Sequence, residues 1–152
     1  DVFIIAIGNP AVRDDIYMNL ISRHALLFTY IHSSALVSPT ASIGVGTIVC
    51  PNVIINTFAK VDENVSVNVF SSVGHEATIG RSSVLSPYCA INGAASVGDK
   101  CFLGTRSTIN PRVTLGDQVT VDAHAVVRAD TLSKMMVSDR GTYKSIPNRL
   151  LR

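Results

Sequence analysis

Tryptophan is absent from these 152 residues, aromatics make up 6% and charged side chains only 16%. A net charge of +2 gives no reason to expect a nucleic-acid partner or a membrane surface. The three cysteines, Cys50, Cys89 and Cys101, form no Cys-x-x-Cys pair. That argues against a disulfide framework or a zinc knuckle, and predicts reduced, mostly buried thiols in a cytoplasmic protein. No apolar run reaches the roughly 18 residues of a membrane span. Aliphatics, by contrast, are plentiful. Hydrophobic residues are 47% of the chain, enough for a sizeable core and too many for a disordered polymer.

The aliphatics are ordered. From Ile31 to Val127 one stands at every sixth position without a break. A 3.6-residue helix does not return to one face after six residues, so the period excludes helix. Four residues after each aliphatic comes a small side chain, such as Ala59, Ser71, Ala77 or Cys89. One residue after it, fourteen of seventeen positions are Gly, Asn, Asp or Ser, which suit turns and positive φ. Each hexad therefore reads as a short strand and a corner. Three hexads close a triangular coil, residue n stacks on n+18, and successive coils lie about 4.8 Å apart. Aliphatics fill the prism, and each coil buries its inner face only against its neighbours.

The repeat is flanked by other structure. Val2 to Ile7 reads as a buried strand. Asn9 and Pro10 suit the N-cap and first position of a helix running to about His24, with Val12, Ile16, Leu20 and Ile21 on its apolar face. Leu26 to Tyr30 reads as a second strand. The chain opens at Asp1 inside an apolar run, and a β-α-β fragment makes a poor sheet alone, so upstream strands are expected. The expected division is a β-α-β fragment at 1–30, the β-helix at 31–130 and a cap at 131–152. Thr131 to Ser138 is expected to form a short helix or irregular cap.

For chemistry the most informative pair is His75-Glu76, at the corner of the Val73 hexad. A corner histidine can meet a substrate and take a proton near neutral pH, and a carboxylate beside it can hold one ring nitrogen. The position alone favours the simpler reading of a solvated surface dipeptide. Of the other histidines, His24 ends the helix, and His32 and His124 fall on other corners. No three histidines stack, so no metal is expected.

The stretches Phe3-Ile4-Ile5-Ala6-Ile7-Gly8-Asn9 with Arg13, Ile31 to Ala41, Val67-Asn68 with Ser71 to Glu76, and Ser145-Ile146-Pro147-Asn148-Arg149 together resemble one group of proteins. These are the hexapeptide-repeat acyltransferases that include sialic-acid O-acetyltransferases and UDP-4-amino-sugar N-acetyltransferases. The resemblance covers nearly the whole chain. It implies a mainly β fold, a left-handed parallel β-helix behind part of a Rossmann-like nucleotide-sugar domain, working as a homotrimer with active sites between subunits. It implies transfer of an acetyl group from acetyl-CoA to the amine or hydroxyl of a nucleotide-linked sugar in bacterial surface-glycan synthesis. His75 would be the general base and Glu76 its acidic partner. The Gly93 N–H would supply the oxyanion donor, as both the family and the n+18 spacing indicate. Gly104, Thr105 and Pro111 would lie along the coenzyme, with Lys144 or Arg149 at its phosphates. Asn68 would lie near the sugar, and Gly8, Asn9 and Arg13 would border the nucleotide. Two departures are visible. The family's Gly-rich nucleotide loop is not in this chain, and Val84 stands where the amino-sugar enzymes often carry a second histidine. The competing readings are a sialic-acid O-acetyltransferase and a non-catalytic β-helix that serves as a scaffold or binding protein.

Overall fold

The structure is a computed structural model, and it describes residues 1–138. It shows the expected left-handed parallel β-helix, a prism of two-residue strands. The first face stacks seven strands, from Tyr30–Ile31 through Ser66–Val67 and Val84–Leu85 to Met136–Val137. The second stacks six, including Ser72–Val73 and Ala90–Ile91, and the third stacks five, including Thr78–Ile79 and Ser96–Val97. Through the body of the prism the register is n to n+18, for example Val73 beside Ile91 and Val67 beside Leu85.

The core follows the two inward positions of the hexad. Val49, Val67, Leu85, Leu103, Ile79, Ile91 and Ile109 are wholly buried, as are the small residues Ala59, Ala77 and Cys89 beside them. At roughly 2 kcal/mol for each fully buried aliphatic, the ladders supply most of the force opposing chain entropy. The polar small residues are satisfied coil to coil. The Ser83 hydroxyl donates to the Gly98 carbonyl (2.8 Å) and accepts from the Cys101 N–H (2.9 Å).

The corners correct one expectation. Positive φ falls not on the residue one after each aliphatic but on the third, from Asn52 and Phe58 through Glu76 to His124. The first position is small for another reason, because the next coil lies against it. A Cβ on Gly104 would stand 2.6 Å from the Ala123 nitrogen.

The repeat also continues past Val127 where a helix or irregular cap was expected. Met136–Val137 pairs with Thr120–Val121, and Thr131 bridges Leu115. Both pairings are offset by sixteen residues, so one corner is two residues short and the six-residue count loses phase.

At the N-terminal end, β1 (Val2–Phe3) pairs in parallel with β2 (Leu26–Leu27), and α1 (Pro10–Ser22) connects them. The expected strand to Ile7 is shorter and mostly exposed; only Ile5 of that run is buried. The second expected strand divides, because Tyr30–Ile31 already belongs to the prism. Asn9 caps the helix, its Oδ1 accepting from the N–H groups of Ala11 (3.0 Å) and Val12 (3.2 Å). The helix does not dock by the expected aliphatic face. Val12 and Ile21 are exposed, Ile16 and Leu20 are half-buried against Ile5, Tyr17 and Leu27, and the buried residues are Arg13, Asp14 and Tyr17.

Arg13 and Asp14 instead lock α1 to the corner between the third and first faces. The Arg13 guanidinium is enclosed and donates to backbone carbonyls, from Nη1 to Ile5 and from Nε to Asn64 (2.5 Å). Enclosure without a carboxylate lowers its pKa to about 10. The Asp14 carboxylate accepts from Arg81 Nε (3.0 Å) and Ser82 Oγ (2.8 Å) and meets Lys100 Nζ at 3.3 Å. Burial alone would raise this carboxyl, but hydrogen bonds from Ser82, Arg81 and Lys100 outweigh it and hold the group below its ordinary value. A depressed carboxylate contributes stability above its unfolded pKa and loses it as pH falls through the folded value. Asp14→Asn is therefore expected to cost about 1.5–3 kcal/mol at pH 7. The gap in melting temperature from wild type should narrow in acid. A gap that stays the same at pH 7 and in acid would show that the charge contributes nothing.

Candidate functional site

His75 and Glu76 lie on the corner between the second and third faces. Gly74 opens that corner because a Cβ there would stand 2.7 Å from the Asn92 carbonyl carbon and the Gly93 nitrogen. Glu76 takes the left-handed slot at φ 58, which swings its side chain back towards its neighbour. Its Oε2 lies 3.2 Å from His75 Nδ1. The turn thus does what an extended dipeptide cannot, and with Nδ1–H donating to Glu76 the Nε2 lone pair is left available.

One storey along, the ring lies against Gly93. A Cβ on Gly93 would be 2.3 Å from His75 Nε2 and 2.6 Å from Cε1. The n+18 spacing therefore does bring these two residues together. The Gly93 N–H has no acceptor among the described residues, whereas the N–H at the same hexad position on some turns of the other two corners has one. Arg81 N–H donates to Asp99 Oδ1 (2.9 Å), Asp99 N–H to Asp117 Oδ1 (2.9 Å) and Val69 N–H to Asn68 Oδ1 (2.8 Å). Asn92, placed to do the same, turns its Nδ2 to the Ile109 carbonyl (2.9 Å) instead. Pro111 and Arg112 form the next storey. His75, Glu76, Gly93, Ala94, Pro111 and Arg112 line a cavity of about 390 Å³. An exposed imidazole held by a carboxylate, next to an open backbone N–H, has the parts for proton abstraction beside an oxyanion.

Other expected site residues lie elsewhere. Asn68, Gly104 and Thr105 stand on the corner between the first and second faces, away from His75 on its own prism. Asn68 is not the left-handed residue of its turn; Phe70 is. Gly8 and Asn9 line a separate cavity of about 550 Å³ with Pro10, Ala11, Lys100 and Gln118. Arg13, expected to border a nucleotide, is enclosed and committed to backbone carbonyls, so it does not line that cavity. Lys144 and Arg149 lie outside the described residues.

Sequence reasoning missed Arg112 and Lys100. Both occupy the third position after an aliphatic, and the same n+18 arithmetic applied to Glu76 would have reached Ala94 and Arg112. Burial raises all three thiols, with Cys101 pushed up to about 11. None of the three is poised as a thiolate nucleophile. Among the described residues no group of three or more His, Cys, Asp or Glu could hold a metal ion, and no helix is long and apolar enough to cross a membrane.

Solved structures give clear matches. PerB from Caulobacter crescentus, in complex with CoA and GDP-perosamine, is 30% identical with a TM-score of 0.89, over 91% of this chain and 67% of PerB. The chain belongs to the hexapeptide-repeat acyltransferase family. The acetyltransferase domain of PglB from Neisseria gonorrhoeae is 28% identical to this acyltransferase, with a TM-score of 0.88, over 94% of this chain and 69% of that one. The same PglB domain has been solved in complex with acetyl coenzyme A, and there it is 27% identical with a TM-score of 0.87, over 93% and 69% of the two chains. No family model matches the sequence, and a search of curated proteins finds no match either.

Proposed function

We propose that this protein transfers the acetyl group of acetyl-CoA directly to the amine of a nucleotide-linked amino sugar. The observation that carries the reading is the contact of the His75 ring with Gly93, with Glu76 on its far nitrogen and the Gly93 N–H left open. PerB, with CoA and GDP-perosamine, and PglB, with acetyl-CoA, support the same pair of substrates here.

In the reaction, His75 Nε2 takes a proton from the sugar amine as its nitrogen attacks the thioester carbon. The carbonyl oxygen gains charge and is met by the Gly93 N–H. The C–N bond forms, the C–S bond breaks, and the imidazolium, steadied by Glu76, returns its proton to the leaving thiolate. No acyl-enzyme is required, consistent with the raised thiols. The His75 side chain is 64% exposed on one subunit. A homotrimer that sets the Asn68–Thr105 corner of a neighbour against this cavity would shield it and supply the remaining expected contacts. The cavity at Gly8 and Asn9 would take the nucleotide.

The test is a set of nucleotide-linked amino sugars and sialic acids offered with acetyl-CoA, with free thiol as the readout. Turnover of an amino-sugar nucleotide is expected, together with a rise in melting temperature on adding CoA. Turnover of sialic acid alone would reassign the acceptor to a hydroxyl. Absence of both turnover and CoA stabilisation would leave the scaffold reading.

A further inference from the structure

The left-handed slot of each corner is best filled by Gly or Asn. In one coil all three of these slots carry cations instead: Lys100 at φ 55, Arg106 at φ 59 and Arg112 at φ 62. Two of the three are engaged. Lys100 pairs with Asp14 at 3.3 Å, and the Arg106 guanidinium lies 5.2 Å from the centre of the Tyr88 ring, which itself stacks on Phe70. The Arg112 side chain makes no hydrogen bond, ion pair or ring contact among the described residues. Only its backbone is tied, the N–H donating to the Gly93 carbonyl (3.1 Å). It serves neither the turn nor the core, yet it lines the cavity of His75 and Gly93.

The geometry points to Arg112 as a coenzyme-binding residue that holds a phosphate of the acyl donor. This rests on the acetyl-CoA reading above. His75 and Gly93 fix where the thioester carbon must sit. Arg112 stands two storeys from His75 along the axis, about 10 Å at the ordinary strand spacing, and its side chain extends that reach. The arm between the thiol of the coenzyme and its diphosphate spans more than two storeys. A donor whose thioester lies at His75 and whose arm runs over Gly93 and Pro111 therefore brings its diphosphate within range of this guanidinium. A planar, permanently charged fork suits phosphate oxygens.

Arg112→Asn tests this, since Asn suits the left-handed slot and lacks the charge. The variant should melt no lower than wild type and keep its assembly in sedimentation. Its KM for acetyl-CoA should rise about tenfold to a hundredfold, the size of one charge-assisted contact, with kcat little changed. Arg112→Lys should recover part of the loss. With acetyl-pantetheine, which has the thioester and arm but no diphosphate, wild type and Arg112→Asn should perform alike. An unchanged KM for acetyl-CoA, an equal loss with acetyl-pantetheine, a rise in KM for the sugar nucleotide instead, or loss of assembly would each overturn the assignment. Thermal shift with CoA separates the two levels. Equal stabilisation of both proteins ends the role of Arg112 alone, whereas stabilisation of neither ends the donor reading and this assignment with it.

Discussion

Replacing His75 with alanine is expected to lower kcat by about a hundredfold to ten-thousandfold, the usual contribution of a general base, while the protein stays folded. In free energy that is roughly 3–5 kcal/mol of transition-state stabilisation, at about 1.4 kcal/mol per tenfold. The two halves of this expectation come from different observations. The loss follows from the Nε2 atom, the one ring nitrogen not engaged by Glu76 and the one that lies against Gly93. The intact fold follows from exposure. The His75 side chain is 64% exposed and contributes nothing to the core, so its removal should cost no more than about 0.5 kcal/mol. Glu76→Gln keeps an acceptor for Nδ1–H but removes the charge that stabilises the imidazolium, so its loss should be smaller than that of His75→Ala. Rates measured at saturating acetyl-CoA and acceptor separate chemistry from binding. A His75→Ala variant that retains wild-type kcat would remove the histidine from the mechanism.

The prism was legible in the sequence for a simple reason. A coil of eighteen residues with two inward positions per hexad writes its core directly into the chain as a period, and a period survives any choice among Val, Ile and Leu. The same arithmetic placed His75 over Gly93, because stacking distance depends only on residue number. Three things were not legible. Which corner position takes positive φ was misplaced, because residues such as Phe58, Phe70 and Tyr88 occupy the slot despite poor intrinsic preference, held there by the coils above and below. The docking of α1 was misread as an aliphatic face. In the structure it is made by Arg13 and Asp14, whose partners Asn64 and Ser82 lie 51 and 68 residues away, a separation no local pattern reports. Likewise the shortened corner after Val127 hides the last strand, since Val137 falls ten residues on rather than six or twelve. Asn68, Gly104 and Thr105 mark a further limit. They share a corner with one another but not with His75, so this prism's own period gives them no link to the chemistry.

Gly93→Ala should separate catalysis from stability as sharply as any substitution in the molecule. The added methyl would fall 2.3 Å from His75 Nε2 and 2.6 Å from Cε1, a distance at which the ring must swing away. What yields is the far end of an exposed side chain, and Gly93 has no positive φ to forbid an L residue. Folding should therefore be nearly unaffected. Catalysis should not be, because the imidazole would leave the place that the proposed reaction requires, beside both the acceptor amine and the Gly93 N–H. A displacement of about 1 Å in such a site can cost on the order of a hundredfold. Gly74→Ala is the control from the same corner. There the methyl would meet main-chain atoms of Asn92 and Gly93 at 2.7 Å, and backbone between stacked coils cannot move aside cheaply. That variant should lose stability first and activity only as a consequence. The measurement is a melting curve beside a kcat for each protein. If Gly93→Ala melts early and loses activity in proportion, Gly93 is a turn residue whose contact with the histidine has no catalytic meaning. If it melts with wild type and turns over at least tenfold more slowly, the close approach of these two residues is the working geometry of the site.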